Sequence, residues 1–239
     1  MPHPLSTQLL DALAALADPD RAQQQQAYMK SAMPFYGVTT PVLRKTARGV
    51  FADHPLVDAA AWRDATRELW HKAKHREERY AAIELMAWPR YQRRFLDLDA
   101  LPLIREMIIS GAWWDFVDAL AIGQVGTLLK GENARMTETL RTWSYDDNLW
   151  IRRSAILAQL KFKEDTDLAL LFDAIEGSIE DQNFFARKAI GWALRELSKT
   201  MPALVATYVR DNESRLSPLS QREALKVLKR QRRYSTRTT

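Results

Sequence analysis

Three stretches decide the fold: 113-WWDFVDAL-120, 149-LWIRRSAIL-157 and 184-FFARKAIGWALRE-196. Each has helical spacing of apolar residues, and the three align through Trp114-x4-Ala119-Leu120, Trp150-x4-Ala155-Ile156 and Phe184-x4-Ala189-Ile190. The alanines fall 36 and then 34 residues apart, and Ala82-Ile83 lies 37 residues before the first of them. Such a period marks stacked helix pairs, in which one pair cannot bury its apolar face alone and neighbours pile into a curved array. The expected fold is therefore an all-α superhelical solenoid of antiparallel helix pairs. The three segments are equivalent helices of successive pairs, and are expected to line its concave side.

The punctuation around these segments agrees. Period-2 alternation is rare, and no Asn-Gly or Asp-Gly hairpin turn occurs. Thr39-Thr40-Pro41 reads as a helix cap followed by an early proline, and Asp146-Asp147-Asn148 and Asp181-Gln182-Asn183 read as further helix starts. Breaks are expected near Asp53-His54-Pro55, Trp88-Pro89, Gly131, Gly177, Met201-Pro202 and Ser217-Pro218. They divide the chain into a dozen or more helices.

Composition bounds the rest. The 239 residues suffice for one large domain or a repeat array with a real core, and 46% are hydrophobic. Cysteine is absent, which excludes disulfides and thiol chemistry. The opening MPHPLSTQLL lacks the pattern of a signal peptide, and no apolar run reaches membrane-spanning length. A cytoplasmic protein, monomeric for want of a heptad seam, is expected. The net charge of +5 is uneven: residues 214–239 carry a net +7, with eight Arg/Lys against Glu223, so residues 1–213 sum to −2. Residues 1–229 are expected to form a single domain, with 230–239 as a basic tail.

Trp114 and Asp118 are four apart and share a helix face, as do Lys188 and Trp192, with Arg195 following on the same side. Asp118 and Lys188 are equivalent in the repeat alignment. Arg153 is offset by one, which leaves Ser154 as the strict equivalent. Taken singly, such residues serve cores, caps and solvated faces. Together they describe a groove suited to something polyanionic and locally cationic. His71 and His75 have metal-pair spacing but lack an evident third ligand, so a basic solvated helix face is expected there and no metal. Gly191, inside a helix, is expected to make room beside Trp192.

With these residues in hand, the chain resembles the AlkD family of HEAT-like-repeat DNA glycosylases. The resemblance runs through 28-YMKSAMPFYGVTTPVLRK-45, 113-WWDFVD-118, 148-NLWIRRSAILAQLKFK-163, 184-FFARKAIGWALRE-196 and 218-PLSQREALK-226. It implies HEAT-like repeats, a concave DNA-binding groove, and a catalytic set of Asp118, Trp114, Trp192 and Arg153. It also implies that Tyr28 is a groove aromatic, and that Thr40, Arg44, Lys161 and Arg195 contact the DNA backbone. Lys188 joins them as a basic residue of the same helix face. The implied activity is excision of N3-methyladenine and N7-methylguanine from double-stranded DNA, leaving an abasic site, with no cofactor. No lysine is marked as a Schiff-base nucleophile, so no lyase step is expected. Two other readings remain at this level: a non-catalytic DNA-structure binder on the same scaffold, and a helical-repeat scaffold for proteins.

Overall fold

The structure, a computed structural model, describes residues 3–229. Among the described residues there are fifteen α-helices and no strand. No helix is long and apolar enough to cross a membrane. The chain divides into two compact units between Met107 and Ile108. The expected tail, 230–239, lies outside the described residues.

The first unit contains α1 (Pro4–Ala14), α2 (Pro19–Met29), α3 (Thr40–Asp53), α4 (Ala59–His71), α5 (Arg76–Ala87) and α6 (Pro89–Phe95). α1 packs on α3 and α4, and α5 packs on α3, α4 and α6. Leu5, Leu9 and Leu13 recur at one helical face of α1 and are fully buried, as are Phe51, Trp62 and Trp70. Burying each such side chain contributes about 1.5–3 kcal/mol.

The entry to α3 is built with care. The buried Glu77 carboxylate accepts hydrogen bonds from the backbone N–H groups of Tyr36 (3.0 Å), Gly37 (2.9 Å) and Val38 (3.1 Å). The Arg21 guanidinium donates to the Gly37 carbonyl at 3.0 Å. Gly37 has φ +87°, and a Cβ there would lie 2.1 Å from the Asp18 carbonyl oxygen, so only glycine fits. This loop fixes where α3 begins, with Thr39 as its cap residue and Pro41 in its first turn.

α7 (Leu101–Gly111) leads to the second unit, which contains α8 (Trp114–Leu120), α9 (Gly126–Gly131), α10 (Asn133–Trp143), α11 (Leu149–Leu157) and α12 (Leu168–Glu176). It ends with α13 (Phe184–Leu197), α14 (Pro202–Asp211) and α15 (Pro218–Ala224). α8 and α9 are joined by one wide π-helical turn over Ala121–Val125. Within this unit α8, α11, α13 and α15 form one row, each packing on the next. α10 and α12 pack together behind α11, and α14 backs α13 and α15. The segments 113–120, 149–157 and 184–196 are thus successive helices of one row.

Two of those helices share an entry device. Asn148 and Asn183 cap α11 and α13, accepting from Trp150 N at 2.9 Å and Phe185 N at 2.8 Å. In each case an aspartate two residues earlier (Asp146, Asp181) accepts from the asparagine N–H at 2.8 and 2.7 Å. An arginine four residues later (Arg152, Arg187) donates to that aspartate's carbonyl, at 2.7 and 2.8 Å. Arg152 also pairs with Asp181 at 2.7 Å, linking one repeat to the next. The repeat is therefore Asp-x-Asn-x3-Arg. Within the alignment, Ala155 and Ala189 are buried, whereas Ala119 is exposed near the end of the short α8. The following position carries the period, since Leu120, Ile156 and Ile190 are all buried.

Candidate active site

Asp118 lies in α8 with only 7% of its surface exposed, and Arg153 in the adjacent α11 with 3%. The two groups meet fork to fork. Arg153 Nε donates to Asp118 Oδ1 at 2.7 Å and Nη2 donates to Oδ2 at 2.8 Å. Bidentate geometry of this kind fixes the carboxylate plane as well as its position. The third nitrogen, Nη1, donates to the Phe185 carbonyl at the start of α13, at 2.5 Å. One guanidinium therefore ties together three successive helices of the row. The one-residue offset of Arg153 is absorbed by the length of its side chain. Ser154, its strict repeat equivalent, is buried and donates to the Trp150 carbonyl of its own helix at 2.9 Å.

Burial is the largest influence on the Asp118 carboxyl and raises its pKa above the ordinary 3.8. The hydrogen bonds and charge of Arg153 act against this, and Asp115 adds a smaller upward push. The net direction is up, because a carboxylate removed from water loses more hydration than one cation restores.

An aromatic cluster stands over the helix starts. Trp113, Trp150 and Phe185 come from the beginnings of α8, α11 and α13, with ring centroids 6.3, 5.4 and 5.0 Å apart. Phe184, exposed, packs edge-on against Phe185 at 5.4 Å. The cluster fixes Phe185, whose carbonyl holds Arg153, which in turn holds Asp118. Trp114 and Trp192 are half-buried on α8 and α13, the one four residues before Asp118 on its own helix.

Lys188 and Arg195 both reach Glu223, a residue to which the sequence assigned no role. Lys188 Nζ donates to Glu223 Oε1 at 2.8 Å and Arg195 Nη1 donates to Oε2 at 2.6 Å. Glu223 belongs to α15 and is 8% exposed. The Lys188 hydrogen bond is the main reason that its pKa lies below the ordinary 4.5, and the charges of Arg195 and Lys226 assist. α15 can come this close because α13 carries Gly191 at the crossing. A Cβ there would lie 2.6 Å from Glu223 Cβ and 3.0 Å from the Ser220 carbonyl oxygen. The space that Gly191 leaves is thus taken by α15, and the expectation that it serves Trp192 is corrected.

Lys161 is exposed and lines a cavity of about 550 Å³ with Ile156, Ala193, Leu197, Lys163 and Lys199. In the first unit Tyr28 is 76% exposed on α2, Thr40 opens α3, and Arg44 pairs with Glu84 at 2.7 Å. His71 pairs with Glu106, whereas His75 stacks on Tyr36 at 3.7 Å and contacts Glu78. Different partners thus engage the two imidazoles. Among the described residues no group of three or more metal-ligating side chains occurs.

A row of helices carrying a buried carboxylate–guanidinium pair, with tryptophans and cations on the same helices, defines the class as an all-helical repeat protein. The chain belongs to the DNA alkylation repair enzyme family, whose sequence model matches residues 9–228. It is similar to the solved structure of a predicted DNA alkylation repair enzyme from Enterococcus faecalis, at 32% identity and a TM-score of 0.76. That match covers 88% of this chain and 95% of the other. No curated protein sequence gives a significant match.

Proposed function

We propose that this protein is a monofunctional DNA glycosylase that removes cationic N3- and N7-alkylated purines, N3-methyladenine and N7-methylguanine, from double-stranded DNA. The observation that carries the reading is Asp118, a buried carboxylate held in a fixed plane by Arg153. Ordinary glycoside hydrolysis needs one acid to protonate the leaving group and a second carboxylate for the nucleophile. Alkylation has already placed a positive charge on the base, so the base departs neutral and the first acid is unnecessary. One carboxylate suffices.

In this reaction the bond between C1′ and the purine nitrogen breaks and its electron pair leaves with the base. A water oxygen bonds to C1′, and its proton passes to Asp118 or to solvent. Asp118 stabilises the oxocarbenium-like sugar electrostatically. The upward shift of its carboxyl suits it to accept the proton of the attacking water. Trp114 and Trp192 offer electron-rich faces to the cationic nucleotide, at about 0.5–2 kcal/mol each. Tyr28, Thr40, Arg44, Lys161, Lys188 and Arg195 bind the duplex, with residues 1–229 acting as one monomeric, cytoplasmic DNA-binding domain. The bidentate Arg153 orients Asp118; the phosphate contact that the resemblance also implied for it is not supported, because its three nitrogens are engaged within the fold and it is buried.

The test is release of free N7-methylguanine from alkylated duplex under single-turnover conditions, in wild type and Asp118→Asn. The expected result is release by wild type, with the variant reduced by two or more orders of magnitude while still binding duplex. Release by the variant at the wild-type rate sinks the mechanism. Absence of release by folded wild type sinks the function.

A further inference from the structure

Two of the cations to which the proposed function gives DNA phosphates already share an anion. Lys188 and Arg195 lie seven residues apart on one face of α13, with Trp192 between them. Both bond the Glu223 carboxylate, one to each oxygen, at 2.8 and 2.6 Å. Lys226 adds a third positive charge nearby. The Lys188 and Arg195 side chains remain 38% and 23% exposed, whereas the Glu223 side chain is 10% exposed.

Packing alone does not require this arrangement. An acid in the interface of α13 with α15 must be desolvated, and an apolar residue of similar size usually serves such a place as well or better. The interface has other fastenings: Ser220 Oγ donates to the Arg187 carbonyl at 2.9 Å, and Gly191 lets the two helices touch. The carboxylate does not block its partners. A lysine has three donor hydrogens and an arginine five, and Glu223 takes one from each. It does halve the net charge that the pair presents to an approaching backbone.

We infer that Glu223 tunes affinity, as an internal counter-ion that masks Lys188 and Arg195 and so weakens the sequence-independent grip on DNA, undamaged duplex included. This rests on the proposed DNA-binding function. Affinity for undamaged duplex is set by phosphate neutralisation, so masking charge reduces that part of binding. Recognition of a cationic base depends on Asp118 and the tryptophans, whereas Glu223 acts on the phosphate-binding cations. The phosphate contacts are common to damaged and undamaged duplex, so masking lowers affinity for both and reduces the fraction of protein held on the undamaged excess.

The experiment titrates the full chain with a labelled undamaged duplex over a series of salt concentrations, for wild type, Glu223→Gln, Lys188→Gln and the double variant Lys188→Gln/Glu223→Gln. Glu223→Gln should bind several-fold tighter at low salt, and its slope of log affinity on log salt should steepen by up to about 0.9. Undamaged competitor should also inhibit its release of N7-methylguanine at several-fold lower concentration. Lys188→Gln takes the net charge of the cluster from +1 to 0 and should lose a slope of about 0.9, whereas the double variant Lys188→Gln/Glu223→Gln, back at +1, should return to the wild-type slope. Wild-type affinity and slope in Glu223→Gln, or weaker binding with an unchanged unfolding midpoint, overturns the inference. If Glu223→Gln does not fold, Lys188→Gln is compared with Lys188→Gln/Arg195→Gln: a masked pair carries about one phosphate contact in all, so a further full-unit loss of slope in the double variant overturns the inference. Wild type without salt-dependent DNA binding would instead overturn the proposed function, and this inference with it.

Discussion

Arg153 closes two parallel hydrogen bonds onto Asp118 from the neighbouring helix while its remaining nitrogen holds the Phe185 carbonyl of the next. The guanidinium is a strut between three helices before it is anything else. Its replacement should therefore be read first as a stability change. Arg153→Ala leaves a carboxylate buried and unpaired, which costs about 3–5 kcal/mol. Arg153→Lys keeps the charge but loses the planar fork, and should fall between wild type and alanine. Denaturant unfolding of the three proteins measures this. An alanine variant as stable as wild type would mean that Asp118 has access to water in solution.

Asp118 and Glu223 should respond to pH in opposite directions. Burial, the first influence on Asp118, raises its carboxyl above 3.8 against the pull of Arg153. The folded chain then holds that proton more tightly than the unfolded chain does. The contribution of Asp118 is full below 3.8 and is lost as pH rises through its folded value. Glu223 is held below 4.5, chiefly by Lys188, so its contribution is full above 4.5 and is lost as pH falls through its folded value. Thermal midpoints measured from about pH 3 to 7 separate the two. Relative to wild type, Asp118→Asn should gain as pH rises, and the deficit of Glu223→Gln should shrink as pH falls. Parallel curves for all three proteins would contradict both assignments.

The shared helix entry predicts matching effects in successive repeats. Asn148→Ala and Asn183→Ala each remove a side-chain acceptor from the first turn of α11 or α13. Each should lower stability by about 0.5–2 kcal/mol. Serine at either position should restore most of the loss, because its hydroxyl can accept the same bond. Unfolding of the alanine and serine variants provides the comparison. If serine is no better than alanine, the asparagines act through something other than capping.

Those caps were legible in the sequence because capping is local: Asn148 and Asn183 stand within three residues of the groups they satisfy. Prolines at 41, 89, 202 and 218 likewise lie in the first turns of α3, α6, α14 and α15. Asp118 and Arg153 were singled out by the family resemblance; the repeat register alone pointed to Lys188 and Ser154 as the equivalents of Asp118, because it does not capture the reach of the Arg153 side chain. Glu223 carries no such signal. Its partners lie 35 and 28 residues away, and in composition it is one acid in a basic terminal stretch. The aromatic segments were conspicuous, yet the residues that pack mutually are Trp113, Trp150 and Phe185. Which face of each helix start turns inward is set by tertiary packing, and Trp114 beside Trp113 has the same composition.

Gly191 gives the sharpest test of the crossing that brings Glu223 to its cations. On helix propensity alone, Gly191→Ala should stabilise α13 by about 1 kcal/mol. At this site the added carbon would lie 2.6 Å from Glu223 Cβ and 3.0 Å from the Ser220 carbonyl oxygen. Neither neighbour is the free end of a flexible side chain, so α15 must move as a body. Overpacking of this kind costs about 1–3 kcal/mol, which offsets or exceeds the propensity gain. The net expectation is a chain about as stable as wild type or up to ~2 kcal/mol less stable. The displacement of α15 would also draw Glu223 from Lys188 and Arg195, so the salt dependence of DNA binding should move toward that of Glu223→Gln. Unfolding and salt titration on the same preparation read both effects. A variant more stable than wild type by the full propensity gain would show that α15 does not rest on α13 at this point.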